Sequence, residues 1–170
     1  MKFVFAARAA ISFGVGIFIT FNQSHSAATG LFALGIFGIG FAILNAIGSQ
    51  IWGKGIFSLE NLPLTLAALI VGVAALLVPT GDLQAAALVF TFLVAGWGLI
   101  AGAFELYLAR RSGFATRSGK DNLISAVLAL GVGLLFLIAP LDIVSAVGFF
   151  GAYLVLSACL LYTSPSPRDS

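Results

Sequence analysis

Two long apolar segments, residues 64–78 and 83–108, are separated only by the short sequence Pro79-Thr80-Gly81-Asp82. Proline, glycine and aspartate in so short a connection predict a turn. Each apolar segment is long enough to form a helix and has almost no charged side chain before its end. Because a helical hairpin of this composition has no face suited to water, we expect it to lie in lipid.

The composition extends this prediction to the whole chain. Of its 170 residues, 61% are hydrophobic and only 8% are charged, whereas a soluble domain has roughly 25% charged residues. The chain therefore lacks the polar side chains that a water-exposed surface needs, and we predict an all-α, polytopic membrane protein. The net charge of +2 gives no indication of a nucleic-acid partner, and a single cysteine excludes a disulfide framework.

Six apolar segments predict six transmembrane helices, arranged as three helical hairpins. The second and fourth segments are long enough to cross a hydrocarbon core of about 30 Å at about 1.5 Å per residue. The other segments are shorter, and we expect them to use flanking residues to span the bilayer. The predicted segments are 5–21, 27–47, 64–78, 83–108, 123–139 and 141–158.

Small residues indicate that the three hairpins are copies of one unit. In the odd-numbered helices, Gly16, Gly72 and Gly133 recur at offsets of 56 and 61 residues. Seven residues after each glycine comes a predicted turn residue, namely Gln23, Pro79 and Pro140. In the first two even-numbered helices, an offset of 56 residues aligns Gly35, Ala42 and Ser49 with Thr91, Gly98 and Glu105.

One face of the fourth predicted helix consists mainly of small residues. It comprises Ala87, Thr91, Ala95, Gly98, Gly102 and Glu105. Lipid tails are as apolar as leucine, so membrane helices associate by close backbone approach at small residues. We therefore expect Gly98 and Gly102, like Gly16, Gly72 and Gly133, to lie at helix–helix contacts.

Positive charges lie on one side of the predicted hairpins. Before residue 159, each Lys and Arg lies near the N-terminus or after an even-numbered helix: Lys2, Arg8, Lys54, Arg110, Arg111, Arg117 and Lys120. The positive-inside rule then places the N-terminus and Arg110-Arg111 in the cytoplasm and the short turns outside. We expect a multi-pass protein of the inner (plasma) membrane, with the lipid bilayer as its principal partner.

The first 27 residues also admit another interpretation. Lys2 and Arg8, an apolar core over residues 11–20 and the sequence Ser24-His25-Ser26 resemble a cleavable signal peptide. The repeat favours a retained helix, because cleavage would leave the second helix without its partner.

The end of the chain has a separate sequence character. Residues Cys159 to Asp169 match an in-frame translation of a sequencing-library transposase adapter. We therefore expect a single membrane-embedded domain over residues 1–158, with its sixth helix truncated, and a non-native tail over residues 159–170.

The succession of a small-residue helix, a proline turn, a glycine-containing second helix and a terminal arginine resembles the HdeD-like family. The resemblance covers residues 7–158, although the first hairpin has Asn22-Gln23 in place of proline. It implies a bacterial inner-membrane protein, built from short repeats and associated with acid resistance. The segments that support it are Leu69-Ile70-Val71-Gly72, Gly102-Ala103-Phe104-Glu105 before Arg110-Arg111, and Gly131-Val132-Gly133 before Pro140.

The sequence offers no catalytic or cofactor-binding motif. With one histidine and a cysteine only in the tail, neither a Cys–His pair nor a Ser-His-Asp triad can be assembled. A glycine-rich phosphate loop followed by Lys and Ser or Thr is also missing from the sequence. We therefore predict a non-enzymatic protein without a cofactor or a bound metal.

Glu105 is an ionisable residue within an apolar helix. It is either a protonatable group on an interhelical face, since intramembrane acids often mark ion routes, or an interfacial acid that pairs with a nearby arginine. Asp82 and Asp142 occupy equivalent outer turns, where each could lose its charge in external acid. Aspartate is also a common helix N-cap, which is the simpler interpretation of both.

These features lead to two functional hypotheses. The first is a non-enzymatic, HdeD-like protein of envelope or acid stress. The second is a small transporter or channel subunit that uses Glu105 at a helix interface. A homo-oligomer or a complex with another membrane protein is compatible with either hypothesis.

Overall fold

The computed structural model describes residues 2–51 and 62–163, and these residues form six helices and no strand. The all-α prediction is therefore confirmed. The connection that contains Lys54 and residues 164–170 of the adapter-like tail lie outside the described residues. The helices are α1 Lys2–Phe21, α2 Ala27–Ile51, α3 Leu62–Leu77, α4 Leu83–Ser112, α5 Arg117–Ile138 and α6 Ile143–Thr163.

Polar caps and glycine set the helix ends around the connection between α4 and α5. Gly113 has a φ of 84°, which favours glycine, and its N–H donates to the carbonyl of Arg110 at 3.2 Å. The hydroxyl of Thr116 then accepts a hydrogen bond from the N–H of Gly119 at 3.0 Å. Because this N-cap precedes the apolar segment, α5 begins at Arg117 rather than at residue 123.

Four of the described helices contain segments long and apolar enough to cross a membrane. These segments are Ala27–Gly48, Leu83–Ser112, Arg117–Ile138 and Ile143–Leu160. The apolar helices Arg8–Phe21 and Leu62–Leu77 are shorter. Large apolar side chains also cover the outside of the bundle, among them Phe21, Leu77 and Ile138, each at least 75% exposed. An exterior of this kind is suited to lipid and not to water.

The closest helix packing joins helices of different predicted hairpins: α2 with α3, α4 with α5, and α1 with α6. A Cβ atom built on Gly98 would lie 2.7 Å from the carbonyl oxygen of Ala129 and the nitrogen of Gly133. A Cβ atom on Gly72 would lie 2.7 Å from the nitrogen of Ile39. The helices that share a short turn also touch, but less extensively. Close backbone approach therefore occurs between the predicted hairpins and not within them.

These contacts also change the alignment of the even-numbered helices. Gly38 faces Gly72 in the same way that Gly98 faces Gly133. Gly98 therefore corresponds to Gly38, sixty residues earlier, and not to Ala42 as the sequence offset of 56 residues suggests. Since a shift of four residues keeps a side chain on the same helix face, the spacing of small residues could not decide between these registers.

Candidate functional site: a polar cavity inside the bundle

A cavity of about 30 Å³ lies inside the bundle, among side chains from all six helices. This volume exceeds what a single water molecule requires, and the polar lining offers it hydrogen-bond partners. The polar side chains that line it are Arg8, Ser12, Glu105, Ser125, Tyr153 and Ser157. Two opposite charges and four hydroxyl groups thus meet within a bundle whose core is otherwise mainly apolar.

Arg8 of α1 places a positive charge at this cavity. Its guanidinium carbon lies 4.3 Å from the centroid of the Phe41 ring, which is a cation–π geometry. The guanidinium also interacts electrostatically with the carboxylate of Glu105 on α4 and with Tyr153 on α6. Charges away from water are costly, and the opposite charge of Glu105 at the same cavity lowers this cost for Arg8.

Aromatic side chains form one wall of the cavity. The indole N–H of Trp97 donates to the hydroxyl of Tyr153 at 3.3 Å, and both residues are buried. The Trp97 ring makes edge-to-face contacts with Phe37 and Phe41, each with a centroid separation of 5.4 Å. These contacts hold the indole and the phenol in fixed positions beside the two charged groups.

The cavity lies in the half of the bundle where α1, α3 and α5 begin and α2, α4 and α6 end. Towards the short turns, the core contains the fully buried side chains of Leu34, Phe90, Val94 and Phe150. The rings of Phe90 and Phe150 lie 5.9 Å apart and pack edge to face. An apolar layer therefore separates the cavity from the turn end of the bundle.

Of the candidate functional residues from the sequence, Glu105 is the one that lines the cavity. The arginine that acts on it is Arg8 of α1, whereas Arg110 and Arg111 are exposed at the end of α4. Gly102 packs against the backbone nitrogen and the side chain of Leu130 of α5, one turn further along α4 than the contact of Gly98 with Gly133. Gly16 packs against α6, where an added Cβ would lie 3.1 Å from the carbonyl oxygen of Gly151. Pro79 and Pro140 are exposed at the turns, away from the cavity.

No motif in the sequence indicates a site role for Arg8, Ser125 or Tyr153. In the sequence, Arg8 counts only towards the topology and the signal-peptide interpretation, although it interrupts the apolar segment of α1. The corresponding positions in α3 and α5, at the offsets of 56 and 61 residues, are Leu64 and Ser125. The positive charge of Arg8, at a position where the other repeats have neutral residues, is the sequence feature that could have indicated the site.

Both outer-turn aspartates act as helix caps. The Oδ1 atom of Asp82 accepts hydrogen bonds from the N–H groups of Gln84 and Ala85 at 3.0 and 3.1 Å. Asp142 accepts from the hydroxyl of Ser145 at 2.6 Å and from its N–H at 3.2 Å. Neither residue lines the cavity.

Ser145→Ala should raise the pKa of Asp142 towards its ordinary value of about 3.9. Hydrogen bonds to the ionised carboxylate lower this pKa in the folded chain. The Ser145 hydroxyl makes the larger contribution and the Ser145 backbone N–H a smaller one. The cap therefore stabilises the fold above the unfolded pKa, and its contribution is lost as pH falls through the lowered folded pKa. A carboxyl ¹³C NMR titration in micelles measures the shift. A wild-type midpoint near neutral pH would contradict this account and restore Asp142 as a sensor of mild acid.

Asp82→Ala should lower the free energy of unfolding by about 1 kcal/mol, the usual effect of losing an N-cap. Asp82→Asn is the matched control, because asparagine caps a helix about equally well without a charge. Thermal unfolding in micelles compares both variants with the wild-type chain. If both variants are destabilised equally, the charge of Asp82 matters more than its cap.

No protein-family model, curated protein or solved structure gives a significant match to the chain. The resemblance to the HdeD-like family therefore stays a prediction from the sequence.

Proposed function

We propose that the chain is a multi-pass protein of the bacterial inner membrane with six spans in three repeated hairpins. Its N-terminus lies in the cytoplasm, and it acts without enzymatic chemistry in envelope or acid stress, as an HdeD-like protein. The four long apolar helices and the lipid-suited exterior support the membrane assignment. The shorter helix α3, with 16 residues, spans by local thinning of the bilayer and with the help of its flanking residues.

The presence of Arg8 and Glu105 at one cavity inside the bundle is the observation that supports a role beyond membrane structure. Ionisable groups within membrane segments are rare because they are expensive, and they mark functional sites by default. The helix contacts do not require this pair, since the positions that correspond to Arg8 are Leu64 and Ser125. Asn45 likewise takes the position of Glu105 in α2.

An acid-survival assay tests this function. A strain of the source organism that lacks the gene is complemented with the wild-type chain, Glu105→Gln or Gly131→Ala. We expect rescue by the wild type and by Gly131→Ala, which changes a glycine with nothing within 4 Å of an added Cβ. Glu105→Gln should not rescue survival. Equal survival with and without the gene would contradict the stress role.

Cysteine labelling in intact cells tests the orientation. In a Cys159→Ser background, Thr80→Cys in the turn before α4 should react with a membrane-impermeant maleimide. Ser118→Cys, at the exposed start of α5, should react only after the cells are permeabilised. The opposite labelling pattern would place the N-terminus outside.

A transporter or channel subunit is the alternative function, and the polar cavity around Glu105 is the observation that favours it. Its route would have to cross the apolar layer of Phe90 and Phe150, which requires a rearrangement of the bundle. Proteoliposomes loaded with a pH-sensitive dye test for proton flux. Flux that is present in the wild type and lost in Glu105→Gln supports transport, and identical traces from both argue against this route.

A further inference from the structure

The cavity lies where three similar helix pairs meet. The backbone nitrogens of Ile39, Leu99 and Val155 are those approached by the glycines Gly72, Gly133 and Gly16. These nitrogens therefore mark corresponding positions in α2, α4 and α6. Two residues before them are the aromatic residues Phe37, Trp97 and Tyr153, and each lines the cavity.

The odd-numbered helices show the same correspondence. Eight residues before the contact glycines lie Arg8, Leu64 and Ser125, and each of these also lines the cavity. The cavity is thus lined by equivalent positions of the three close helix pairs, but only one of these pairs has a positive charge there. In α2, Asn45 replaces Glu105 and forms a buried hydrogen bond of 2.6 Å to Thr65 of α3. Neutral residues are thus sufficient for packing at these positions.

The chemistry of the cavity is that of a cation-recognition site. Phe41 presents its ring to a cation, and Trp97 is in ring contact with Phe41. Glu105 supplies the negative charge, and serine and tyrosine hydroxyls supply hydrogen-bond acceptors. Aromatic faces combined with a carboxylate bind planar guanidinium groups and small organic ammonium ions.

We propose that this cavity is a binding site for guanidinium-type cations and that the Arg8 side chain is its built-in occupant. Arg8 lies six residues after the start of α1, about 9 Å along the helix. A flexible arginine at this depth can withdraw towards the headgroups and leave its place to an external cation. The inference rests on the proposed membrane embedding, and it gives the site of the proposed function a ligand class.

Guanidinium binding to an Arg8→Ala variant tests the proposal. In a Trp52→Phe background, Trp97 is the remaining tryptophan and reports on the cavity wall. We expect saturable quenching or a spectral shift with guanidinium chloride, and a half-saturating concentration at least about tenfold lower than in the Arg8-containing parent. Urea, the neutral isostere, should give no saturable change at equal concentration. Arg8→Ala combined with Glu105→Gln should lose the guanidinium response.

Equal responses to urea and guanidinium, or a response that persists without Glu105, would overturn the proposal. If Arg8→Ala folds poorly, its recovery during purification decides the question. Recovery with guanidinium and not with urea supports the site, and failure with both overturns it. The binding assay uses purified protein, so its outcome is separate from acid survival: binding without a survival phenotype would overturn the stress role alone.

Discussion

Gly98→Ala should lower the free energy of unfolding by about 2 kcal/mol, the usual scale of overpacking a close contact. The added methyl group would lie 2.7 Å from two backbone atoms of α5 and would have to push the helices apart. Backbone atoms cannot move aside as the end of a flexible side chain can. Thermal or denaturant unfolding in micelles measures the difference.

Gly96→Ala is the matched control on the same helix. Nothing lies within 4 Å of a Cβ atom built on Gly96, so this variant should keep the wild-type stability or gain slightly from better helix propensity. The chain repeats this design in α5, where Gly133 is packed and Gly131 is open. If alanine at Gly96 or Gly131 destabilised the chain as much as alanine at Gly98 or Gly133, the close packing of α4 on α5 would be contradicted.

Replacing one member of the Arg8–Glu105 pair should cost more than replacing both. Arg8→Leu leaves the Glu105 carboxylate in an apolar bundle without the positive charge of its cavity, and Glu105→Asn removes the carboxylate that lines this cavity with Arg8. Each single change should cost about 3 kcal/mol. The double variant has leucine and asparagine at these positions. The chain itself has the same two residue types at the corresponding positions Leu64 and Asn45. We therefore expect its free energy of unfolding to return to within about 1 kcal/mol of the wild type.

A double-mutant cycle in micelles measures this coupling. Arg110→Leu is the control, because this exposed arginine lies at the end of α4 and outside the cavity. Arg110→Leu alone should leave the free energy of unfolding nearly unchanged. Combined with Glu105→Asn, it should show no coupling energy. Strictly additive effects of Arg8→Leu and Glu105→Asn would mean that the two charges do not act on each other.

The sequence allowed the helices to be predicted but not their closest partners. Apolar length, the Pro79 and Pro140 turns and the aspartate caps are local signals, and they located six helices to within a few residues at most ends. The choice between α1 and α3 as the close neighbour of Gly38 depends on contacts that are distant in sequence. Small-residue spacing marks a packed face but does not say which helix packs on it.

Some residues of the candidate site could likewise be predicted from the sequence, and others could not. Glu105 could be found because a charge inside an apolar helix is visible in the sequence. Arg8 belongs in the sequence to the cations that predict topology, and nothing local indicates that it lines the same cavity as an acid 97 positions later. Tyr153 and Ser157 contribute hydroxyls to the cavity from α6, and their residue types are unremarkable in a membrane helix.

The contact between α1 and α6 has a consequence for biosynthesis. The first helix leaves the ribosome carrying Arg8, and its closest partner is the last of the six to be made. Until α6 emerges, the packing face of α1 around Gly16 lacks the helix that covers it in the folded chain. The packing of the six described helices is thus incomplete until α6 lies beside α1, and a break within α6 would uncover the face of α1 around Gly16.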